Sequence, residues 1–179
     1  MSRDLNWLEQ CNAIAKNSKC MSRKVGSIIV KDSKFIISTG YNGPCIGSKH
    51  CSDSDYRDRI KNLVNKDTNS RMVWYLDSPN ICIRRALEFK SSQGLEYCQA
   101  AHSERNAIDI AARLGHSTEG HTMYMNCGIP CMECAKSIVN SGIKEIVVID
   151  KNDIYEKKGI TGLDILNFGG VKIREYEKE

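Results

Sequence analysis

The sequence predicts an α/β layer with parallel strands, on three observations. Strand-like and helix-like segments alternate from about residue 102 to 176, the pattern produced when crossover helices join parallel strands. The segments 25–30 and 144–150 are nearly continuous, β-branched apolar runs, as suits strands buried on both faces. The helical segments between them carry their own punctuation, with Gly115 and Gly142 as stops and Pro130 as an opening residue.

Taken in order, Leu5, Leu8, Cys11, Ile14 and Ala15 recur at helical spacing and predict an amphipathic helix over roughly 4–17 that covers a sheet face. Lys19 to Lys24 is a basic loop. Val25–Val30 and Phe35–Thr39 are strands joined by the turn residues Lys31–Lys34, hence a hairpin. Gly40-Tyr41-Asn42-Gly43-Pro44 breaks the second strand. Its glycines permit close ligand approach, or simply a turn. From Ser48 to about Gly94 the chain turns polar and irregular, with a surface helix near Asp53–Arg59 and an apolar island at Met72–Leu76. It is expected to be an insertion, at about 52–95, in a single domain spanning 1–179, without the apolar content for its own core. A helix follows over His102–Leu114, then a strand over His121–Asn126, a helix over Cys131–Asn140 and a strand over Lys144–Asp150. A weak helix over Gly162–Asn167 and a final strand over Val171–Tyr176 end the chain.

Composition narrows the class. No apolar run approaches the ~20 residues of a membrane span, and the first residues lack the order of a secretion signal. A cytoplasmic protein is expected, and nine cysteines there point to metal or catalytic thiols before disulfides. The formal charge of +4 suits a phosphorylated small molecule, or equally a solvated surface, and falls short of a nucleic-acid footprint. Neither a nucleic acid nor a membrane is an expected partner.

The chemistry concentrates between Tyr97 and Ser141. His102-Ser103-Glu104 is followed by Pro130-Cys131-Met132-Glu133-Cys134. His102, Cys131 and Cys134 make a three-ligand zinc set that leaves a fourth position for water. A spacing of three places both thiols on one helical face, and helix starts favour thiolates. Glu104 is placed to move that water's protons. C-x-x-C alone marks a structural zinc or a redox pair as readily as a catalytic centre. Three ligands with a glutamate two residues after the histidine and a proline before the first cysteine match zinc-dependent nucleobase deaminases.

Further motifs narrow the match. Ser18-Lys19-Cys20-Met21-Ser22-Arg23-Lys24-Val25-Gly26, Gly40-Tyr41-Asn42-Gly43, His102-Ser103-Glu104-Arg105-Asn106-Ala107 and the Pro130 segment resemble the deoxycytidylate (dCMP) deaminases of the cytidine deaminase superfamily, phage and bacterial members above all. The resemblance covers nearly the whole chain outside about 52–80. It implies a three-layer fold with a mixed five-stranded sheet flanked by helices, a homohexamer, and conversion of dCMP to dUMP and ammonia for thymidylate synthesis. It further implies activation by dCTP and inhibition by dTTP with Mg²⁺ on the effector, and a host-cytoplasm location for a phage-encoded chain.

Carried over by motif, Glu104 is the proton shuttle and Asn42 binds the sugar 3′-hydroxyl. Tyr124 is an expected nucleotide contact, and Ser22, Arg23 and Lys24 are candidates for the 5′-phosphate. Gly43, Pro44 and Gly47 are candidate effector contacts. Serine stands at position 103 where alanine is commoner, and the added hydroxyl is expected to leave ligand and shuttle untouched. Cys20, Cys51, Cys82 and Cys98, with His50 nearby, are candidates for a second, structural zinc, as in some phage relatives, although none is paired at C-x-x-C spacing. Cys11, Cys45 and Cys127 are expected to be core or loop residues. The competing functions are deamination of dCTP, cytidine or a nucleic-acid base, and a zinc-stabilised binding module without catalysis. Glu104 argues against the last, because a structural zinc has no use for a carboxylate outside its ligand set.

Overall fold

The computed structural model describes residues 3–67, 76–90, 93–152 and 159–176. The chain divides into two compact units, one of 1–18, 24–42 and 102–179, the other of 19–23 and 43–101.

The first unit is built on a five-stranded mixed sheet. Its strands are β1 (Gly26–Lys31), β2 (Phe35–Tyr41), β5 (Thr122–Met125), β6 (Glu145–Val148) and β7 (Lys172–Glu175). The order is β2-β1-β5-β6-β7. β1 pairs antiparallel with both β2 and β5, whereas β5–β6 and β6–β7 are parallel. The expected hairpin, mixed sheet and doubly buried central strands are all present.

Alternation along the strands separates two apolar layers. Ile28, Val30, Tyr124 and Val147 face helix α1 (Arg3–Ala15) through Trp7 and Cys11. Ile29, Met123, Met125 and Ile146 face the other layer. That layer is α4 (Ser103–Arg113), α5 (Met132–Asn140) and α6 (Gly162–Phe168), contributing Ala107, Ile138 and Leu166 to the core. A reciprocal capping box between Thr161 and Asp164 starts α6, which explains why so weakly patterned a segment is helical.

β2 runs on through Tyr41, past the break expected at Gly40. Gly40 lies opposite Ser27 of β1, and a Cβ there would stand 2.2 Å from the Ser103 carbonyl oxygen. That glycine is needed because α4 lies directly on the strand.

The second unit holds α2 (Ser54–Asp67), the short α3 (Ile83–Ala86), a 3₁₀ turn at Leu95–Tyr97, and the two-residue strands β3 (Gly43–Pro44) and β4 (Ala100–Ala101), paired antiparallel. It is wider than the insertion expected at 52–95, and it has the apolar core judged absent: Ile60, Val64, Leu76, Ile83, Ala86 and Leu87. Ile60 and Val64 sit one turn apart among charged residues, so the segment's low average hydrophobicity hid an inward-facing stripe. The buried Arg57 guanidinium donates to the Leu76 and Ile81 carbonyls. Of the expected apolar island only Leu76 is described; 72–75 and the Ser91-Ser92 loop lie outside the described residues.

Candidate metal centre and active site

Three ends of backbone meet at one edge of the first sheet. The start of β1, the end of β2 and the end of β5 are aligned by the pairs Gly26–Tyr41, Ser27–Gly40 and Ser27–Met125. Over this edge α4 begins at its N-cap, His102, and α5 at its N-cap, Cys131. The candidate metal ligands thus stand at two positive helix ends, His102 and Cys131 just before the first turn and Cys134 within it. α4 is held in place by more than apolar contact. The Ser38 hydroxyl donates to the Ala107 carbonyl at 2.7 Å, and the Asn106 amide donates to the Tyr41 carbonyl at 2.7 Å. The segment entering α5 is packed as closely, since a Cβ on Gly162 would stand 2.0 Å from the Pro130 carbonyl oxygen.

The His102 Nδ1 atom lies 3.4 Å from the sulfur of Cys131 and 3.4 Å from that of Cys134. A tetrahedral zinc with ordinary Zn–N and Zn–S bonds sets an N···S spacing of about 3.6 Å. The donor set therefore fits a zinc ion, and Nδ1 is the nitrogen turned toward it. Among the described residues this is the sole group of three or more candidate ligands whose ligand atoms all lie within 4.8 Å of one another.

The electrostatics agree. Cys131 is held far below the ordinary thiol range, because the Cys134 S–H donates to its sulfur and His102 adds a second contact, together outweighing burial. Cys134 is pushed up by that same bond, by burial and by the charge of Glu104. His102 is raised chiefly by its bond to Cys131. A metal bound there would displace the remaining thiol protons.

Glu104 is the second residue of α4 and is only 4 % exposed. Its Oε2 accepts a hydrogen bond from the Ser103 hydroxyl at 2.9 Å, and Ser103 Oγ lies 2.8 Å from Ser27 Oγ. The expectation that serine at 103 leaves the glutamate untouched is thereby corrected. Sequence reading missed Ser27 altogether, although a lone polar residue in an apolar strand is a signal that a buried partner awaits it.

Tyr124 is a second correction. It is 3 % exposed and packs on the α1 face beside Trp7, the face opposite α4 and α5. Its hydroxyl donates to Asp4 at 2.8 Å, and the Asp4 carboxylate also binds Arg174. The alternation of β5 sends Met123 and Met125 toward the metal layer and Tyr124 away from it.

The remaining candidates are placed as follows. Asn42 is fixed by the Val25 N–H, which donates to its side-chain oxygen at 2.8 Å, and by the Ser18 hydroxyl, which donates to its carbonyl at 2.7 Å. Lys24 is exposed in the first unit, and Ser22 and Arg23 are exposed in the second. Gly43 and Pro44 form β3, and Gly47 adopts φ +79° in an exposed loop of the second unit. Cys20, Cys51, Cys82 and Cys98 all line one cavity of the second unit, with His50 among the other walls. Burial, with the three neighbouring thiols adding to it, pushes Cys51 up to about 11. Cys11 and Cys127 are buried and Cys45 is exposed.

The model of the cytidine and deoxycytidylate deaminase zinc-binding region matches residues 1–150. The chain belongs to the cytidine and deoxycytidylate deaminase family. It is 34% identical over 175 residues to the deoxycytidylate deaminase of Enterobacteria phage T4, covering 93% of this chain and 86% of that protein. It is 28% identical over 176 residues to the human deoxycytidylate deaminase, covering 96% and 80%. Among solved structures, a cyanophage S-TIM5 dCMP deaminase in apo form superposes with a TM-score of 0.61 at 20% identity, covering 97% of this chain and 96% of that one. That likeness is one of fold, and it bears out the deaminase-like layered architecture. No helix among the described residues is long and apolar enough to cross a membrane.

Proposed function

We propose that this chain deaminates dCMP to dUMP and ammonia. The observation that carries the reading is the His102–Cys131–Cys134 cluster at zinc spacing with the Glu104 carboxylate next to it at the start of α4. Family membership and a relative of one-third identity that acts on deoxycytidylate support it. Zinc held there supplies the Lewis acidity that makes a water nucleophilic near neutral pH. Glu104 would take one proton from the attacking water and pass it to the ring nitrogen as the oxygen adds to the carbon bearing the exocyclic amine. It would then take the remaining proton from the added hydroxyl and deliver it to the amine, which leaves as ammonia while the carbonyl forms.

Substrate selection falls to residues outside the cluster. Asn42, whose amide is already oriented by Val25, is assigned to the sugar 3′-hydroxyl. Ser22, Arg23 and Lys24 are assigned to the 5′-phosphate because two cations and a hydroxyl are consecutive in an exposed, irregular stretch. We place the enzyme in the cytoplasm as a homohexamer feeding thymidylate synthesis, with dCTP activating and dTTP inhibiting as Mg²⁺ complexes. Gly43, Pro44 and Gly47 are its effector contacts in this reading. A second zinc would draw on Cys20, Cys51, Cys82 and Cys98; their common cavity supports this, and a site without an open position would be structural.

One set of measurements tests the whole reading. Ammonia release is followed on dCMP, dCTP and deoxycytidine, each with and without dCTP or dTTP, on protein whose zinc content and mass in solution are known. Turnover of dCMP above the others is expected; equal turnover of deoxycytidine removes the phosphate assignment. One zinc per chain removes the second metal, and a monomer removes the hexamer.

A further inference from the structure

We propose that Ser27 and Ser103 form a hydroxyl relay that fixes the orientation of the Glu104 carboxylate, making both serines positioning residues for the deamination. The proposal rests on the assignment of Glu104 as proton shuttle.

The three groups are continuous and buried. Ser27 and Ser103 are each 0 % exposed, and Glu104 is 4 % exposed. The oxygen–oxygen steps are 2.8 Å from Ser27 to Ser103 and 2.9 Å from Ser103 to Glu104. Proton inventory sets the direction. The Ser103 hydroxyl donates to Glu104 Oε2 and has only that one proton to give. The short Ser27–Ser103 contact then needs the Ser27 proton, and Ser27 donates to Ser103.

The relay starts on β1, which is paired on both sides, and ends on a side chain at the first turn of α4. It ties the carboxylate to the sheet as well as to its own helix. With Oε2 held, the proton exchanged in the reaction passes through Oε1, in a geometry that is set before substrate arrives. Positioning of that kind acts on the chemical step more than on substrate binding.

The same bonds give an unusual test, because stability and turnover should part company. Ser103→Ala leaves the Ser27 hydroxyl buried without its partner and lowers the melting temperature. Ser27→Ala/Ser103→Ala removes both hydroxyls and restores much of that loss, since replacing both partners is far less costly than orphaning one. Turnover should not recover with it. The kcat for dCMP is expected to fall about tenfold in Ser103→Ala, the size of one hydrogen bond to a charged group, and to stay equally low in the double variant. KM and zinc content should match the wild type throughout. Ser27→Ala, which keeps the direct bond to Glu104, should lose less. A kcat that rises again with the melting temperature in the double variant, or wild-type kcat in Ser103→Ala, overturns the relay. Should Ser103→Ala not fold, the double variant compared with Ser27→Ala decides by the same criterion. Glu104→Gln in the same series separates the two ideas: wild-type turnover there defeats the shuttle assignment itself, whereas an inactive Glu104→Gln beside an unimpaired Ser103→Ala defeats the relay alone.

Discussion

Tyr124→Phe asks whether Tyr124 meets the nucleotide or the protein. The substitution keeps the ring against Trp7, where the centroids are 6.3 Å apart, and removes only the hydroxyl that donates to Asp4 at 2.8 Å. A hydrogen bond to a charged group is worth about 1.5–3 kcal/mol. Asp4 retains Arg174 and is partly open to solvent, so a loss of about 1 kcal/mol is the fitting figure once screening is allowed for. For a chain of this length that is a melting-temperature decrease of about 2–4 °C. Thermal denaturation reads that decrease, and steady-state ammonia release gives kcat and KM for dCMP, both expected unchanged. A KM raised about tenfold, the ~1.4 kcal/mol of a lost ligand contact, with no loss of melting temperature would refute the placement of Tyr124 as structural.

Glu104→Gln should retain the wild-type zinc content, measured by atomic absorption, while turnover falls about 10²- to 10⁴-fold, the usual worth of a general acid–base group; near-full activity sinks the shuttle role. Gly40→Ala would set a Cβ 2.2 Å from the Ser103 carbonyl oxygen and 2.4 Å from the Ala107 nitrogen. Neither backbone can yield without moving α4, so about 1–3 kcal/mol of stability should go, and kcat with it; wild-type melting and turnover would contradict that packing. Acid stability tests the Asp4–Arg174–Glu145 cluster. The Arg174 hydrogen bond is the chief cause holding Asp4 below its ordinary value, and at Glu145 the arginine and Lys172 overcome an opposing effect of burial. Depressed carboxylates stabilise the fold above their unfolded pKa values, about 4, and that stabilisation drains away as pH falls through the folded ones. The melting-temperature gap between wild type and Arg174→Met should therefore narrow between about pH 6 and pH 3; a gap independent of pH would dismiss the cluster as a source of stability.

The candidate metal ligands were legible in the sequence because the spacing within each helix start is local. Cys131 and Cys134 are one helical turn apart, and His102 and Glu104 share a helix start, so backbone periodicity alone brings each pair together. The strands and helices of the first unit were legible for the same reason, since periods of two and of 3.6 are written along the chain. The core of the second unit was not, because its apolar residues are few and are scattered among charges.

Everything that depends on which segments meet was decided by the tertiary structure. Alternation in β5 put Tyr124 opposite Met123 and Met125, but it did not say which face α1 would take. The Ser27–Ser103 contact joins residues 76 apart in the chain, and no local pattern pairs them; the antiparallel register of β1 with β2 and the docking of α4 over Gly40 do. By itself the sequence carried a candidate His-Cys-Cys set, an adjacent candidate proton carrier and a layered α/β fold, because helix and strand periods and the His102–Glu104 and Cys131–Cys134 spacings are local; the fold had to bring His102 to cysteines 29 and 32 residues away. Only the folded chain decided what holds the carboxylate and which aromatic faces away from it, because side chains distant in sequence meet only once sheet register and helix docking are set.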